Sequence, residues 1–292
     1  MTHLRAVAAI LAASFVFPMA AFAGAWTQPG RDSYLRVTYA WWSTRTRFNA
    51  DGKKAALEGP GRPERGTEYR DRELRVYGEY GIVDRLTAYG SLAYKRVQLF
   101  EPTAIVFGGV LPEATHTTSG IGDVILGGRF RILDGRVPVS VAAEVKAPSG
   151  YSPSASPSLG NGMLDAAVRG LVGTSAGWIY ATADAGWSRR GGSYQDEILF
   201  SAEIGGQLLS RHYFWRSVLR GRRSLGAMES SDLAVFDPSL ASPRALELGL
   251  VVGEELVSGV HIEAGLSHIL SGRNSLAGNA LEVGVTWSRR SH

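Results

Sequence analysis

The sequence predicts an all-β protein: an antiparallel transmembrane β-barrel of twelve strands, with short turns at one end and longer loops at the other. Three observations predict it. Apolar and polar residues alternate with period two through twelve separate segments. The connections between segments are alternately short and long, as in barrels with short periplasmic turns and long outer loops. Aromatic residues recur near segment ends, at Trp41, Trp42, Tyr80, Tyr94, Trp178, Trp187, Tyr213, Trp215 and Trp287, where interfacial girdles sit.

Residues 1–23 stand apart from this pattern. Arg5 precedes an apolar stretch over 6–20, and Ala21-Phe22-Ala23 is a small-x-small cleavage pattern. A cleaved secretory signal peptide is expected over 1–23 and a single barrel domain over 24–292. The apolar stretch is shorter than the ~20 residues of a spanning helix. No uncharged apolar run of about 18 residues follows it. An exported chain without spanning helices is either soluble or a closed barrel.

The segments follow in order. The first, 34–42, sets Leu35, Val37, Tyr39 and Trp41 against Arg36, Thr38 and Ala40. The second, 72–80, sets Leu74, Val76 and Tyr80 against Arg75, Tyr77 and Glu79. The third, 86–96, sets Leu86, Leu92 and Tyr94 against Thr87, Tyr89 and Lys95. The fourth, 122–132, has Val124, Leu126, Phe130 and Ile132 opposite Asp123, Arg129 and Arg131. The fifth, 137–146, has Val139, Val141 and Val145 opposite Ser140, Glu144 and Lys146; Pro138 is tolerable at a strand start. The sixth, 162–172, alternates Leu164, Val168 and Val172 with Asp165 and Arg169. The seventh, 178–187, alternates Ile179, Ala183 and Trp187 with Tyr180, Thr182 and Asp184. The eighth, 197–208, alternates Ile198, Phe200 and Ile204 with Glu197, Ser201 and Glu203. In the ninth, 213–222, Arg216, Arg220 and Arg222 share a face. The tenth, 245–253, points Leu246, Leu248, Leu250 and Val252 away from Glu247. The eleventh, 260–268, sets Ile262 and Leu266 against His261, Glu263 and Ser267. The twelfth, 280–287, sets Leu281, Val283, Val285 and Trp287 against Glu282 and Thr286.

Short connections fall near 81–85, 133–136, 174–177, 209–212 and 254–259. Longer ones cover 43–67, 97–119, 147–161, 223–243 and 269–279, and 188–196 is modest. A soluble sandwich also alternates, but twelve such segments would need a very large shared core. The 36 Gly in 292 residues are about 12%, against an average near 7%. They suit turns and strand positions where a closing barrel crowds its side chains. The absence of Cys excludes a disulfide framework, a thiolate metal site, a thiol nucleophile and a lipoprotein anchor. Removing Arg5 with the leader lowers the net charge from +4 to +3. That excess is too small to suggest a nucleic-acid partner.

The faces opposite the apolar ones are expected to line the lumen. They carry Arg36, Arg75, Glu79, Asp123, Arg129, Arg131, Glu144, Lys146, Asp165, Arg169, Asp184, Glu203, Arg216, Arg220, Glu247, His261, Glu263 and Glu282, with Lys95 beside them. These charges form either a solute-selecting pathway or an ion-pair network filling a narrow barrel. Only Lys53, Lys54, Lys95 and Lys146 are lysine among the 31 basic residues. Arginine suits bidentate pairing with carboxylates, and on outer loops it also suits lipid phosphates.

Tyr80-Gly81-Ile82-Val83-Asp84-Arg85-Leu86-Thr87 resembles the turn-and-strand signature of the MetA-pathway phenol degradation family of outer-membrane proteins. Gly120-Ile121-Gly122-Asp123-Val124-Ile125-Leu126-Gly127-Gly128 resembles that family's Gly-x-Gly-Asp strand opening, and Gly160-Asn161-Gly162 with Asp165 resembles a second one. The resemblance covers roughly 30–287. It implies a β-barrel in the outer membrane of a Gram-negative bacterium and a transport role near other small-solute and hydrophobic-compound channels; the solutes are expected to be small, hydrophobic or aromatic. It implies no enzyme and no site residues. The expected partners are outer-membrane lipid and lipopolysaccharide, the barrel-assembly machinery and a small-molecule solute. No cofactor, metal or catalytic residue is expected. The tail 288–292 after Trp287 departs from precursors that end on an aromatic residue.

Other readings are weaker. Gly120-x-Gly122 and Gly160-x-Gly162 precede strands, whereas a dinucleotide fingerprint needs a following helix. Ser267 and His268 are adjacent on a strand and point to opposite faces. His261 and Ser267 lie roughly 20 Å apart at strand rise. Neither arrangement makes a nucleophile–base pair, so a lipid-modifying enzyme is disfavoured. The connection 98–117 is unusually apolar at Ile105-Val106-Phe107 and Val110-Leu111. It is read as an inward plug or greasy entrance, or as packing against loops and headgroups. The leading expectation is a small-solute channel; the alternative is an accessory barrel for export or assembly of a surface polymer.

Overall fold

The computed structural model describes residues 24–57, 66–106, 108–152, 154–192, 194–208, 212–226 and 244–290. The expected leader 1–23, most of the connection 223–243, most of the turn 209–212, Phe107 and the last two residues of the tail lie outside the described residues.

Twelve strands form the wall: β1 (Ser33–Thr44), β2 (Glu68–Val83), β3 (Leu86–Glu101), β4 (Val124–Leu133), β5 (Val139–Ala147), β6 (Asp165–Ala176), β7 (Ile179–Arg189), β8 (Glu197–Leu208), β9 (Tyr213–Ser224), β10 (Arg244–Val257), β11 (Val260–Arg273) and β12 (Asn279–Arg289). Each pairs antiparallel with its sequence neighbours. β1 pairs with both β2 and β12, so the sheet closes on itself. All twelve alternating segments are therefore strands. Closure removes the free edges of the twelve-strand ring, which lets a sheet sit in lipid with its backbone satisfied; an additional strand over 114–121 keeps one edge unpaired among the described residues.

The register keeps the two faces separate. Leu35, Val37, Tyr39 and Trp41 of β1 lie opposite Trp287, Val285, Val283 and Leu281 of β12. Leu246, Leu248, Leu250 and Val252 continue the outward surface on β10, and Leu250 is 52% exposed. Few soluble folds leave apolar rows uncovered on this scale; lipid is the medium that covers them. The polar partners of these residues point inward.

The structure corrects the expected connections in three places. Residues 97–119 are not a loop: β3 runs on to Glu101, a short hairpin pairs Ala104–Val106 with Gly109–Leu111, and Ala114–Ile121 is an additional strand on β3. That strand and β4 both pair with β3, on either side of a break at Gly122-Asp123. β5 ends at Ala147, opposite Val124. Among the described residues, no strand pairs with the far edge of 114–121. The region 269–279 is mostly strand, because β11 extends to Arg273, and Ser275–Leu276 pairs with Thr46–Phe48 above the wall. The connection 43–67 likewise contributes Thr46–Phe48 and Lys54–Ala56.

Several glycines make room for an aromatic ring on the neighbouring strand. A Cβ on Gly127 would fall 2.5 Å from the Tyr89 ring, one on Gly205 2.7 Å from Tyr180, and one on Gly253 2.3 Å from Phe214. Aromatic side chains laid over strand glycines are a known means of pinning register in a curved sheet. They explain part of the Gly excess.

Candidate functional site: a closed lumen

The inward face brings the expected charged residues into pairs, some between neighbouring strands, some reaching across an intervening strand and one within a strand. Arg36 pairs with Glu263 and, at 3.0 Å, with Glu282; Arg216 reaches the same Glu263 at 3.1 Å. Arg129 Nη2 donates to Glu79 Oε2 at 2.9 Å, with side chains 4% and 0% exposed. Arg169 lies 2.8 Å from Asp184 and 3.8 Å from Glu144, and Lys146 lies 3.0 Å from Asp123 and 2.7 Å from Asp165. Arg220 is 3.7 Å from Glu247, while Glu203 accepts from Tyr180 Oη at 2.6 Å. Arg75 pairs with Glu73, Lys95 with Asp71, and Arg131 with Asp134 of the β4–β5 turn. His261 Nδ1 lies 3.4 Å from Thr286 Oγ1. A buried charge is costly unless paired, so this matching follows from enclosing so many charges in a narrow ring.

Sequence reasoning missed several participants. Glu73 lies within the expected second segment in the phase of Arg75 and Glu79, and Asp71 continues that phase one residue upstream of the expected start, so phase could have found Glu73 directly and Asp71 had the segment been extended. Arg190, just past the outer end of β7, pairs at 2.9 Å with Glu197, which the eighth segment's polar face already carried. Asn161 accepts from Lys146 and donates to Asp165.

The largest omission is the segment 24–32, which closes the inner end of the lumen. It crosses from β6 and β7 to β2. Trp26 packs edge-on against Tyr180 with ring centres 6.3 Å apart, and a Cβ on Gly173 would fall 2.7 Å from the Trp26 ring. Ala25 is buried against Ala142 and Leu171, and its carbonyl accepts from Ser140 Oγ. Gln28 N donates to Thr87 Oγ1 at 2.7 Å, and Gln28 Nε2 to Glu79 Oε2 at 2.8 Å. Thr27 Oγ1 donates to the Asp84 carbonyl at 2.6 Å, and Gly30 N to Asp84 Oδ1 at 2.8 Å. Tyr34, Tyr77 and Tyr89 extend the aromatic lining, with ring centres 6.3 and 6.4 Å apart in turn.

A second closure stands at the outer end. Leu159, from the connection between β5 and β6, is buried with Leu57, Tyr69, Val97 and Leu276, and Trp42 and Tyr151 pack against them. Tyr151 Oη donates to Asp123 Oδ1 at 2.6 Å and accepts from Gly162 N at 2.8 Å. The inward plug at this end is therefore formed by the described residues of the 148–164 connection, through Tyr151 and Leu159, and not by 98–117. The tip of the latter instead exposes Ile105 and Val110, which lie opposite each other across the hairpin. Just within the outer closure is a cavity of about 250 Å³ lined by Asp123, Glu144, Lys146, Asp165, Arg190 and Arg222, among others.

The structure keeps apart the serine and histidine that stand side by side in the sequence. Ser267 lies opposite Gly249 and Ala280 on the inward face, whereas His268 bonds Asn279 at 2.6 Å on the other. Among the described residues, no group of three or more His, Cys, Asp or Glu is placed to hold a metal ion.

No protein-family model matches the chain, and no curated protein matches it. Solved structures do resemble it. An outer membrane channel from Pseudomonas putida F1 superposes with a TM-score of 0.66 at 12% identity, covering 94% of this chain and all (100%) of that one. The KdgM porin superposes with a TM-score of 0.50 at 5% identity, covering 87% of this chain and 99% of that one. At these identities the likeness is one of fold: the chain has the architecture of an outer-membrane β-barrel.

Proposed function

We propose that this barrel is a small-solute channel of the bacterial outer membrane that favours apolar or aromatic molecules. The observation that carries the reading is how the lumen is closed. The wall itself leaves space, and two separate segments, 24–32 and 148–164, fill its ends through side-chain bonds. A barrel serving only as scaffold has no need of separate segments laid across its ends. Segments that block a path are what a gated pathway requires.

Three features support the solute class. The inner closure is ringed by Trp26, Tyr34, Tyr77, Tyr89 and Tyr180, and aromatic faces pack well against aromatic solutes. The outer closure is an apolar cluster. The wall is interrupted at Gly122-Asp123, where Ile121, Leu126 and Leu164 present apolar side chains outward, beside the polar cavity. The resemblance to the MetA-pathway phenol degradation family points the same way. Cleavage after Ala23 fits this picture, because it makes the buried Gly24 the amino terminus of the closing segment. The segregation of Ser267 from His268 supports a role without catalysis.

Liposome swelling and planar-bilayer recording test the proposal on the mature chain and on a chain lacking 24–31. Deletion should raise conductance several-fold and admit small phenols faster than sugars of equal size. A deleted chain that folds yet conducts no better, with no phenol entry, would refute it.

A further inference from the structure

Three arginines stand side by side on the lipid-facing surface near the outer end of the wall. Arg223 of β9 lies opposite Arg244 of β10, and Arg244 lies opposite Arg273 of β11. They share the face of Leu219, Leu246 and Leu248, since Leu219 lies opposite Leu248 and Leu246 lies opposite Gly221 and Ser271. Residues directly opposite on adjacent strands are about 5 Å apart, and like charges so placed destabilise a sheet. Here the middle arginine has a like charge on both sides. Among the described residues, none of the three has an ion-pair partner. On β9 the inward Arg216 and Arg220 each have an ion-pair partner, and the inward Arg222 faces the polar cavity.

The surroundings identify what would neutralise them. Immediately membrane-ward lie Leu246, Leu248, Leu250 and Phe200, the last laid over Gly221. A strip of three guanidinium groups above an apolar surface matches an amphiphile with phosphates at its head and several acyl chains. Arginine binds phosphate through two parallel N–H bonds, which a lysine row would not supply. The pattern recurs at the same end of the wall, where Arg72 of β2 lies opposite Arg96 of β3 with Trp41 beside it. Toward the inner end, the lipid-facing position opposite Tyr213 is instead Glu254.

We propose that Arg223, Arg244 and Arg273 form a binding site for the phosphates of the phosphorylated glycolipid of the outer leaflet, lipopolysaccharide, with its acyl chains lying on the leucine rows below. This rests on the membrane placement argued above and not on solute passage, so lipid binding and conductance can fail independently. The test uses the full mature chain, refolded in detergent, with native mass spectrometry and thermophoresis as readouts. The probes are bis-phosphorylated lipid A, the same lipid dephosphorylated, and inorganic phosphate. Wild type should bind the phosphorylated lipid at least about tenfold more tightly than the dephosphorylated one. Replacing all three arginines by Gln should weaken that binding about a hundredfold, at roughly one surface-bound charge each. If the triple variant does not fold, Arg244→Gln alone should weaken it about fivefold. Equal binding by variant and wild type, equal binding of the dephosphorylated lipid, or binding of inorganic phosphate without the lipid would each overturn the assignment.

Discussion

Glu79 joins the wall to the inner closure, and replacing it by Leu should damage both. Its carboxylate is fully buried and accepts three donors: Arg129 Nη2 at 2.9 Å, Gln28 Nε2 at 2.8 Å and the Tyr77 hydroxyl. Arg129 is almost as buried, its Nε has no hydrogen-bond partner, and Glu79 is its one ion pair among the described residues. Glu79→Leu therefore leaves a buried guanidinium without its counter-charge, at a cost of about 3–5 kcal/mol. That is a large part of the ~5–15 kcal/mol by which a domain is typically stable. Urea unfolding in lipid vesicles, followed by tryptophan fluorescence and gel mobility, reads the loss. Adding Arg129→Met should recover most of it, because an apolar pair in place of a buried ion pair is often neutral or better. Bilayer recording should show raised conductance in both variants, since Gln28 has lost its acceptor in each. A single variant within about 1 kcal/mol of wild type, or a double variant whose losses simply add, would refute the reasoning.

Further outcomes follow from the same wall. Leu250→Arg places a charge in the outward apolar row and should cost about 2–4 kcal/mol in lipid; a value near zero in the urea assay would argue against a lipid-facing surface. Gly205→Val sets a side chain 2.7 Å from the Tyr180 ring. It should cost about 1–3 kcal/mol by overpacking, with Tyr180 displaced from Glu203 in the refined structure. Lys146→Met leaves Asp123 and Asp165 without their shared cation. The reversal potential in a salt gradient should then move toward cation selectivity, and an unchanged potential would place Lys146 off the conducting path.

The wall was legible in the sequence because its physics is local. Each strand declares its two faces within a few residues, and β8 was bounded at 197–208, as observed. Legibility failed where structure depends on distant partners. The strand 114–121 has the polar run Thr115-His116-Thr117-Thr118-Ser119 and no alternation; its place is set by β3. The segment 24–32 has no periodicity at all. Its bonds reach partners 51 to 115 residues away, so nothing within the segment announces its site. The inward charges could be assigned to a face by phase, but which acid meets which base depends on the stagger between strands.

The strength of the inner closure can be judged from its own bonds. Segment 24–32 makes about half a dozen hydrogen bonds to the wall, each worth about 0.5–1.5 kcal/mol net. Ordering nine residues costs about 1–2 kcal/mol each in backbone entropy. Hydrogen bonding alone does not hold the segment in place, so the balance is supplied by apolar burial, and Trp26 is its one large apolar side chain. Trp→Ala in a well-packed site costs about 3–5 kcal/mol; Trp26 is half-buried, so the lower end, about 3 kcal/mol, is the better figure. A shift of that size changes an open-to-closed ratio more than a hundredfold. If the lumen conducts as proposed, Trp26→Ala should thus turn a mostly closed path into one that is open much of the time, while the urea midpoint falls little because the wall is untouched. Single-channel recording decides it: an open fraction equal to that of wild type would mean that the segment is held by something other than its ring.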